Sequence, residues 1–145
     1  MKINIKKLDE KAIIPKYSKL DDAGLDLTAV SKTIIENEGG KFIEYGTGLA
    51  IQIPKDHVGL IFPRSSLSNF NLMLTNKVGV IDSGYRGEIK LRFKQIRKED
   101  SLKEYEIGDR VGQIIIIPYP KIEFEEVNEL EETSRGAGGF GSTGS

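Results

Sequence analysis

The sequence contains no cysteine and one histidine, His57. That excludes structural zinc and thiol catalysis, and it leaves metal binding to hard, oxygen-liganded ions such as Mg2+. The lack of disulfides agrees with a reducing compartment. Lys+Arg 21 against Asp+Glu 22 leave a net charge of −1 with no long basic run, so nucleic acid is not an expected partner, whereas a small charged ligand is. No apolar run approaches the roughly 18 residues of a membrane span. The opening MKINIKKLDE has no apolar core of signal-peptide length. The expectation is a soluble, intracellular, cytoplasmic protein with no membrane and no nucleic-acid partner.

What is present is a strand pattern. At 145 residues the chain fits one domain, able to bury about 68–70% of its unfolded surface. Apolar residues come in short alternating or continuous runs broken by Gly, Pro, Asn and Asp. About ten strands are expected, from the candidates Ile3–Lys6, Leu25–Ala29, Thr33–Glu36, Phe42–Tyr45, Leu49–Ile53, Val58–Phe62, Leu72–Leu74, Val78–Ile81, Ile89–Gln95, Val111–Pro118 and Ile122–Val127. Turn residues sit between them at Glu38-Gly39-Gly40, Pro54-Lys55-Asp56, Asp82-Ser83-Gly84 and Gly108-Asp109. The one helical candidate is the short Ser65–Phe70. Ile114–Ile117 is apolar on both faces and should be buried on both, with a subunit interface as the second cover. So many short strands in one core imply an all-β sandwich or closed jelly-roll barrel. Six glutamates accumulate from Glu123 to Glu132, where the body, residues 1–132, should end and an arm, 133–145, begin.

That arm carries Arg135–Gly144, RGAGGFGSTG, with five glycines. Alone it reads as a flexible tail, since glycine loses the most backbone freedom on ordering. Its polar and aromatic residues nevertheless suit a nucleotide: arginine for phosphate, hydroxyls and bare amides as donors, phenylalanine for stacking. Inside the body, NKVGVIDSGYRGEI at Asn76–Ile89 ends a strand in the carboxylate Asp82 and follows it with a Ser-Gly turn and Tyr85. Pro63-Arg64-Ser65-Ser66 sets an arginine and two hydroxyls at the start of the short helix, an arrangement that favours an anion. Asp22-Ala23-Gly24-Leu25-Asp26-Leu27 places carboxylates beside a glycine, and Gly108-Asp109-Arg110-Val111-Gly112-Gln113 leads a charged turn into an amide. Each has a structural alternative: Asp26 as a strand-edge charge, Arg64 in a surface ion pair, Asp82 and Asp109 as turn formers, Gln113 as partner to buried backbone.

Taken together, DAGLDL, PRSSL, GVIDSGYRGE, GDRVGQ and RGAGGFGSTG resemble, in order and spacing, the five motifs of the trimeric deoxyuridine triphosphatases. The similarity runs from Asp22 to Gly144. It implies a distorted jelly-roll barrel with one short helix and a flexible C-terminal arm, assembled as a homotrimer. Each of its three active sites would draw on all three chains, the arm coming from the third. It implies hydrolysis of dUTP to dUMP and pyrophosphate, which supplies dUMP for dTMP synthesis and keeps uracil out of DNA. By the same resemblance Asp82 and Gln113 are catalytic: Asp82 holds and activates the water that attacks the α-phosphorus, and Gln113 holds phosphate with Arg64, Ser65 and Ser66. Asp109 would orient Arg64, and Asp26 would reach Mg2+ through water.

Uracil presents acceptor, donor, acceptor along its edge, a pattern that the Asn76 amide and the backbone of Gly79, Val80 and Ile81 can match while leaving cytosine unpaired. A site built on hydrogen bonds rejects such an analogue by about 10⁴-fold or more. Tyr85 would pack on the deoxyribose and exclude a 2′-hydroxyl, and Lys90 would face the base through its backbone. Arg135, Phe140, Gly141, Ser142 and Thr143 would close over the nucleotide, with Arg135 toward the γ-phosphate. Two other readings stay open on the residues: an enzyme like the dCTP deaminases, which share the fold, and a binding or regulatory protein that kept the fold without catalysis.

Overall fold

The computed structural model describes residues 1–97 and 103–139. Ten strands run antiparallel: β1 (Ile5–Lys7), β2 (Leu25–Thr28), β3 (Ser31–Asn37), β4 (Gly40–Gly46), β5 (Leu49–Ile51), β6 (His57–Phe62), β7 (Leu72–Leu74), β8 (Gly79–Ile81), β9 (Lys90–Gln95) and β10 (Arg110–Pro118). They form one pair, β1-β5, and two four-stranded sheets, β2-β10-β6-β8 and β3-β4-β9-β7. Non-consecutive neighbours of this kind are the mark of a jelly roll rather than a meander. The expected all-β class holds, and the helical segment is a 3-10 helix, Ser65–Asn69. None of the helices among the described residues is long and apolar enough to cross a membrane.

The core lies between the two larger sheets. Tyr45, Leu27, Leu91, Phe93, Val111 and Ile114 are almost wholly buried; a register irregularity between Arg110 and Gly112 lets Val111 and Ile114, three apart on β10, both turn inward. Tyr45 stands edge-on to Phe93 at 5.7 Å and to Tyr105 at 6.0 Å, a geometry aromatic quadrupoles favour. The turn residues act where expected: Gly40 closes the β3–β4 hairpin at φ +105°, and Gly108 turns the chain into β10 at φ +95°. Both angles are costly for any residue with a Cβ.

Two sequence expectations change. Ile122–Val127 is not a strand: among the described residues no partner strand pairs with it, and Phe124 is 94% exposed. A strand needs a neighbour to accept its ladder, and within one chain this segment has none. In β10 only Ile114 of the Ile114–Ile117 run is fully buried, while Ile117 is 40% exposed. The outer side of that run opens onto an apolar groove of 480 Å³, lined among others by Ile3, Ile5, Leu25, Ile114 and Ile116.

Candidate active site

The register of β10 assembles one cluster. Gln113 lies opposite Asp26 on β2 and opposite Phe62, the last residue of β6, so the register sets the three side by side across the sheet. Just beyond β6, Arg64 donates from Nε to Asp26 Oδ1 at 2.9 Å, and Arg110 Nη1 donates to Asp26 Oδ2 at 3.0 Å. Arg64 Nη1 reaches Ser66 Oγ at 3.3 Å, and Gln113 Nε2 donates to the Pro63 carbonyl at 3.0 Å. Gly24 lies against this amide, and a Cβ there would meet Gln113 Oε1 and push the amide aside. One carboxylate thus faces two guanidiniums, and the surplus positive charge, with the Ser65 and Ser66 hydroxyls, suits a phosphate chain. The 3-10 helix has only five residues, so anion binding here rests on side chains and amides rather than on a macrodipole.

Asp109 does not hold Arg64 in this chain. Its Oδ2 accepts the Glu106 N–H at 2.8 Å and closes the turn before β10, and Asp26 holds Arg64 instead.

A second cluster surrounds the hairpin that carries β8. A pocket of 430 Å³ is lined among others by Asn76, Ile81, Tyr85 and Lys90, with Glu44 and Arg92 also in its wall. Tyr85 is fixed at both ends: its N–H donates to the Asp82 carbonyl at 3.0 Å and its hydroxyl to the Glu88 carbonyl at 3.0 Å. Asp82 itself is exposed at the strand end. Gly79 is buried and Val80 exposed, so the hairpin shows one backbone edge and one side-chain face. Lys90 pairs with Gly46 across β4 and β9, and its ammonium bonds Glu44 Oε1 at 2.9 Å. Glu44 also accepts from Arg92 Nε at 2.7 Å. Burial pushes the Glu44 carboxyl up, but the hydrogen bonds and charges of Lys90 and Arg92 outweigh it and hold the group below its ordinary value. No sequence signal marked Glu44, Arg92 or Tyr105; Arg110 sat inside the GDRVGQ box without an assigned partner.

One chain does not bring the two clusters together. On β6, Gly59 faces Ile81 and Ile61 faces Gly79, so Asp82 continues beside Val58, six residues before Arg64. At about 3.3 Å per residue that separates them by roughly 20 Å. Arg135 is exposed and turns back on its own segment, Nε donating to the Gly138 carbonyl at 3.1 Å. Phe140, Gly141, Ser142 and Thr143 lie outside the described residues.

This arrangement has close counterparts. A family model described as dUTPase matches residues 10–144. The deoxyuridine 5'-triphosphate nucleotidohydrolase of Nautilia profundicola is 43% identical, over 99% of this chain and 99% of its own length. That of Escherichia phage T5 is 41% identical, covering 96% of this chain and 97% of the phage protein. Among solved structures, the Staphylococcus bacteriophage 80alpha dUTPase with dUpNHpp superposes with a TM-score of 0.83 at 27% identity, covering 99% of both chains. A mutant dUTPase from phage phi11 of S. aureus, described for its coordination of a structural Mg(II) ion, matches in fold with a TM-score of 0.74 at 24% identity, over 91% of this chain and 100% of its own. With the motif clusters, the sheet order and nearly the whole length in agreement, the chain belongs to the dUTPase family.

Proposed function

We propose that the protein is a dUTP diphosphatase that hydrolyses dUTP to dUMP and pyrophosphate. The observation that carries this reading is the Asp26–Arg64–Arg110–Gln113 cluster, a cationic anion cradle held by three strand ends, in a chain whose hairpin also carries Asp82 and Tyr85. In the proposed reaction a water oxygen bonds to the α-phosphorus, the bond from that phosphorus to the bridging oxygen breaks, and pyrophosphate leaves. Asp82 takes the proton of the attacking water. Arg64, Ser65, Ser66 and Gln113 hold the phosphates in line, and in-line positioning with charge neutralisation is most of what phosphoryl transfer requires.

Mg2+ fits the donor chemistry in a limited way. Both Asp26 oxygens are engaged by guanidiniums, and the described residues hold no cluster of three metal-ligating side chains. An ion carried chiefly by the triphosphate and its own waters, with Asp26 touching it through water, suits this set. When bound it neutralises the charge on the transferring group.

Selectivity follows from the hairpin pocket. The Asn76 amide and the backbone of Gly79, Val80 and Ile81 offer the complement of a uracil edge, and Tyr85, pinned to the Glu88 carbonyl, forms a rigid wall against the 2′ position. Lys90 lines the same pocket, its ammonium held by Glu44.

We place the active unit in a homotrimer. The roughly 20 Å between Arg64 and Asp82 along β6 means that a nucleotide cannot touch both in one chain, whereas a neighbour's hairpin can meet this chain's cradle. The open groove beside β10 and the exposed Ile122, Phe124, Val127 and Leu130 supply apolar surface for such an assembly. The arm from Thr133, with Arg135, Phe140, Gly141, Ser142 and Thr143, then closes a site on another copy. In the cytoplasm the product would feed dTMP synthesis, and removal of dUTP would keep uracil out of DNA.

The test is pyrophosphate release with Mg2+ across dUTP, dCTP, dTTP and UTP, repeated with Asp82→Asn. We expect turnover of dUTP alone and a loss of about 10²–10⁴-fold in the variant. Conversion of dCTP to dUTP would overturn the assignment, and comparable turnover of UTP would remove the role given to Tyr85.

A further inference from the structure

Tyr85 is 44% exposed, so packing alone does not fix its ring. The ring lies over the backbone of Gly87, where a Cβ would run into its hydroxyl end. What holds it in place is the bond from the Tyr85 hydroxyl to the Glu88 carbonyl, 3.0 Å long. A side chain pinned to a carbonyl is only as rigid as the residue that carries that carbonyl. Residues 82–89 form no strand, so residue 88 needs an anchor from elsewhere in the fold.

Glu88 has one on each side. The peptide that bears its carbonyl ends in the Ile89 N–H, which donates to the Leu49 carbonyl at 2.8 Å. The Ile89 carbonyl in turn accepts from the hydroxyl of Thr47 at 2.7 Å and from its N–H at 3.2 Å. The Glu88 side chain turns back toward the same β4–β5 turn, where Oε1 accepts the Gly48 N–H at 2.8 Å, across 40 positions of sequence. Gly48 is buried, and a buried N–H has to be paired. A Cβ at Gly46 would meet the same Oε1, so the small residues of the turn leave the space through which the carboxylate reaches. Oε2 stands 3.7 Å from the Lys90 ammonium, and the side chain is 25% exposed. A charge that served only solubility would face outward; this one is turned onto a backbone amide of a distant turn.

We propose that Glu88 is a specificity-determining positioning residue: its carboxylate locks residue 88 to the turn at residues 46–48, so that the carbonyl of the same residue holds Tyr85 against the 2′ position of the nucleotide sugar. This rests on the dUTP reading above. Glu88 touches no substrate atom; it acts through Tyr85. Steric exclusion of a 2′-hydroxyl works only while the wall does not yield, and the rigidity of this wall comes from a turn that lies outside the hairpin and outside all five boxes.

The experiment compares kcat/KM for dUTP and for UTP in wild type, Glu88→Ala, Glu88→Asp, Glu88→Gln, Tyr85→Phe and the double variant Tyr85→Phe with Glu88→Ala, with each assay run well below the measured unfolding midpoint. Aspartate keeps the charge but is one methylene too short to reach Gly48, whereas glutamine keeps both the reach and an acceptor oxygen. We expect the preference for dUTP over UTP to fall about tenfold in Glu88→Ala and Glu88→Asp, chiefly through a lower KM for UTP, and to stay within about twofold of wild type in Glu88→Gln. Tyr85→Phe should show the same fall, and the double variant no further one. A merely structural role would lower both substrates together and leave their ratio unchanged. An unchanged ratio in Glu88→Ala and Glu88→Asp, a Glu88→Gln ratio as low as that of Glu88→Ala, or additive falls in the double variant would each overturn the inference. If Glu88→Ala does not fold, Glu88→Asp against Glu88→Gln decides it. A wild type that does not hydrolyse dUTP in preference to UTP removes the reading of Tyr85 and this inference with it; a wild type with that preference and variants that keep it overturn this inference alone.

Discussion

Glu44 is a carboxylate on a strand whose neighbours, Ile43 and Tyr45, belong to the core. It is tolerated because Lys90 and Arg92 both bond it, at 2.9 and 2.7 Å, from the adjacent strand. Since its folded pKa lies below the ordinary 4.5, its contribution to stability is fully present above that value and is lost as pH falls through the folded pKa. Lys90 carries the opposite sign. Its hydrogen bond to Glu44 raises it above 10.5, so its share is present below that value and lost as pH rises through the folded pKa. Glu44→Gln should therefore cost about 1.5–3 kcal/mol at neutral pH. Urea unfolding carried into acid should show the gap between variant and wild type closing; a gap that persists would mean the ion pairs contribute nothing through charge. The hairpin pocket should loosen with it, because Glu44 and Lys90 both line it. The pairing of Glu44 with Lys90 and Arg92 was not legible in the sequence. A charge in FIEYG reads as one outward residue of a strand, and its partners lie 46 and 48 positions away. By contrast Asp26, Arg64, Asp82 and Gln113 were legible, each within a short box of turn and charge residues.

At the scale of elements, most strand candidates hold because inward alternation is local, and Leu72–Leu74 matches β7 at both ends. Ile122–Val127 fails for the complementary reason. Its alternation is strand-like, but a strand needs a partner beside it, and among the described residues this segment pairs with none. The segment leaves the body after Tyr119, whose N–H donates to the Asp56 carbonyl at 3.0 Å, and the bonds of Thr133–Gly138 stay within that segment. Removing residues 133–145 should thus leave the unfolding midpoint of the body unchanged while lowering kcat/KM for dUTP by about 10²-fold or more, as expected for a lost closing element. Calorimetry beside the pyrophosphate assay checks both halves. A truncated protein with full turnover would show that the arm has no part in catalysis.

For the whole molecule, the division of β6 matters most. One end leads into the cradle at Arg64, and the other lies beside the hairpin that ends in Asp82. If sites form between copies, chains broken at opposite ends should repair each other. Arg64→Ala and Asp82→Asn should each be nearly inactive alone, while co-refolded mixtures should recover about a quarter of wild-type activity from random assortment in a closed oligomer. Native mass spectrometry should find assemblies of three times the 16.1 kDa chain. Mixed assemblies that recover no activity would place each site within a single chain.

By itself the sequence determined the chemistry on offer and the class of fold. It holds no thiol and one imidazole, five boxes of turn, charge and hydroxyl residues, and alternation suited to short strands. These are local properties, set by residue type and by spacing within a few positions. Only the tertiary structure decided that Asp26 rather than Asp109 holds Arg64, that Glu44 ties down Lys90, and that Arg64 and Asp82 stand at opposite ends of one strand. Those outcomes follow from strand register between segments far apart in the chain, and register answers to the packing of the whole core, with a one-residue slip turning every side chain to the other face.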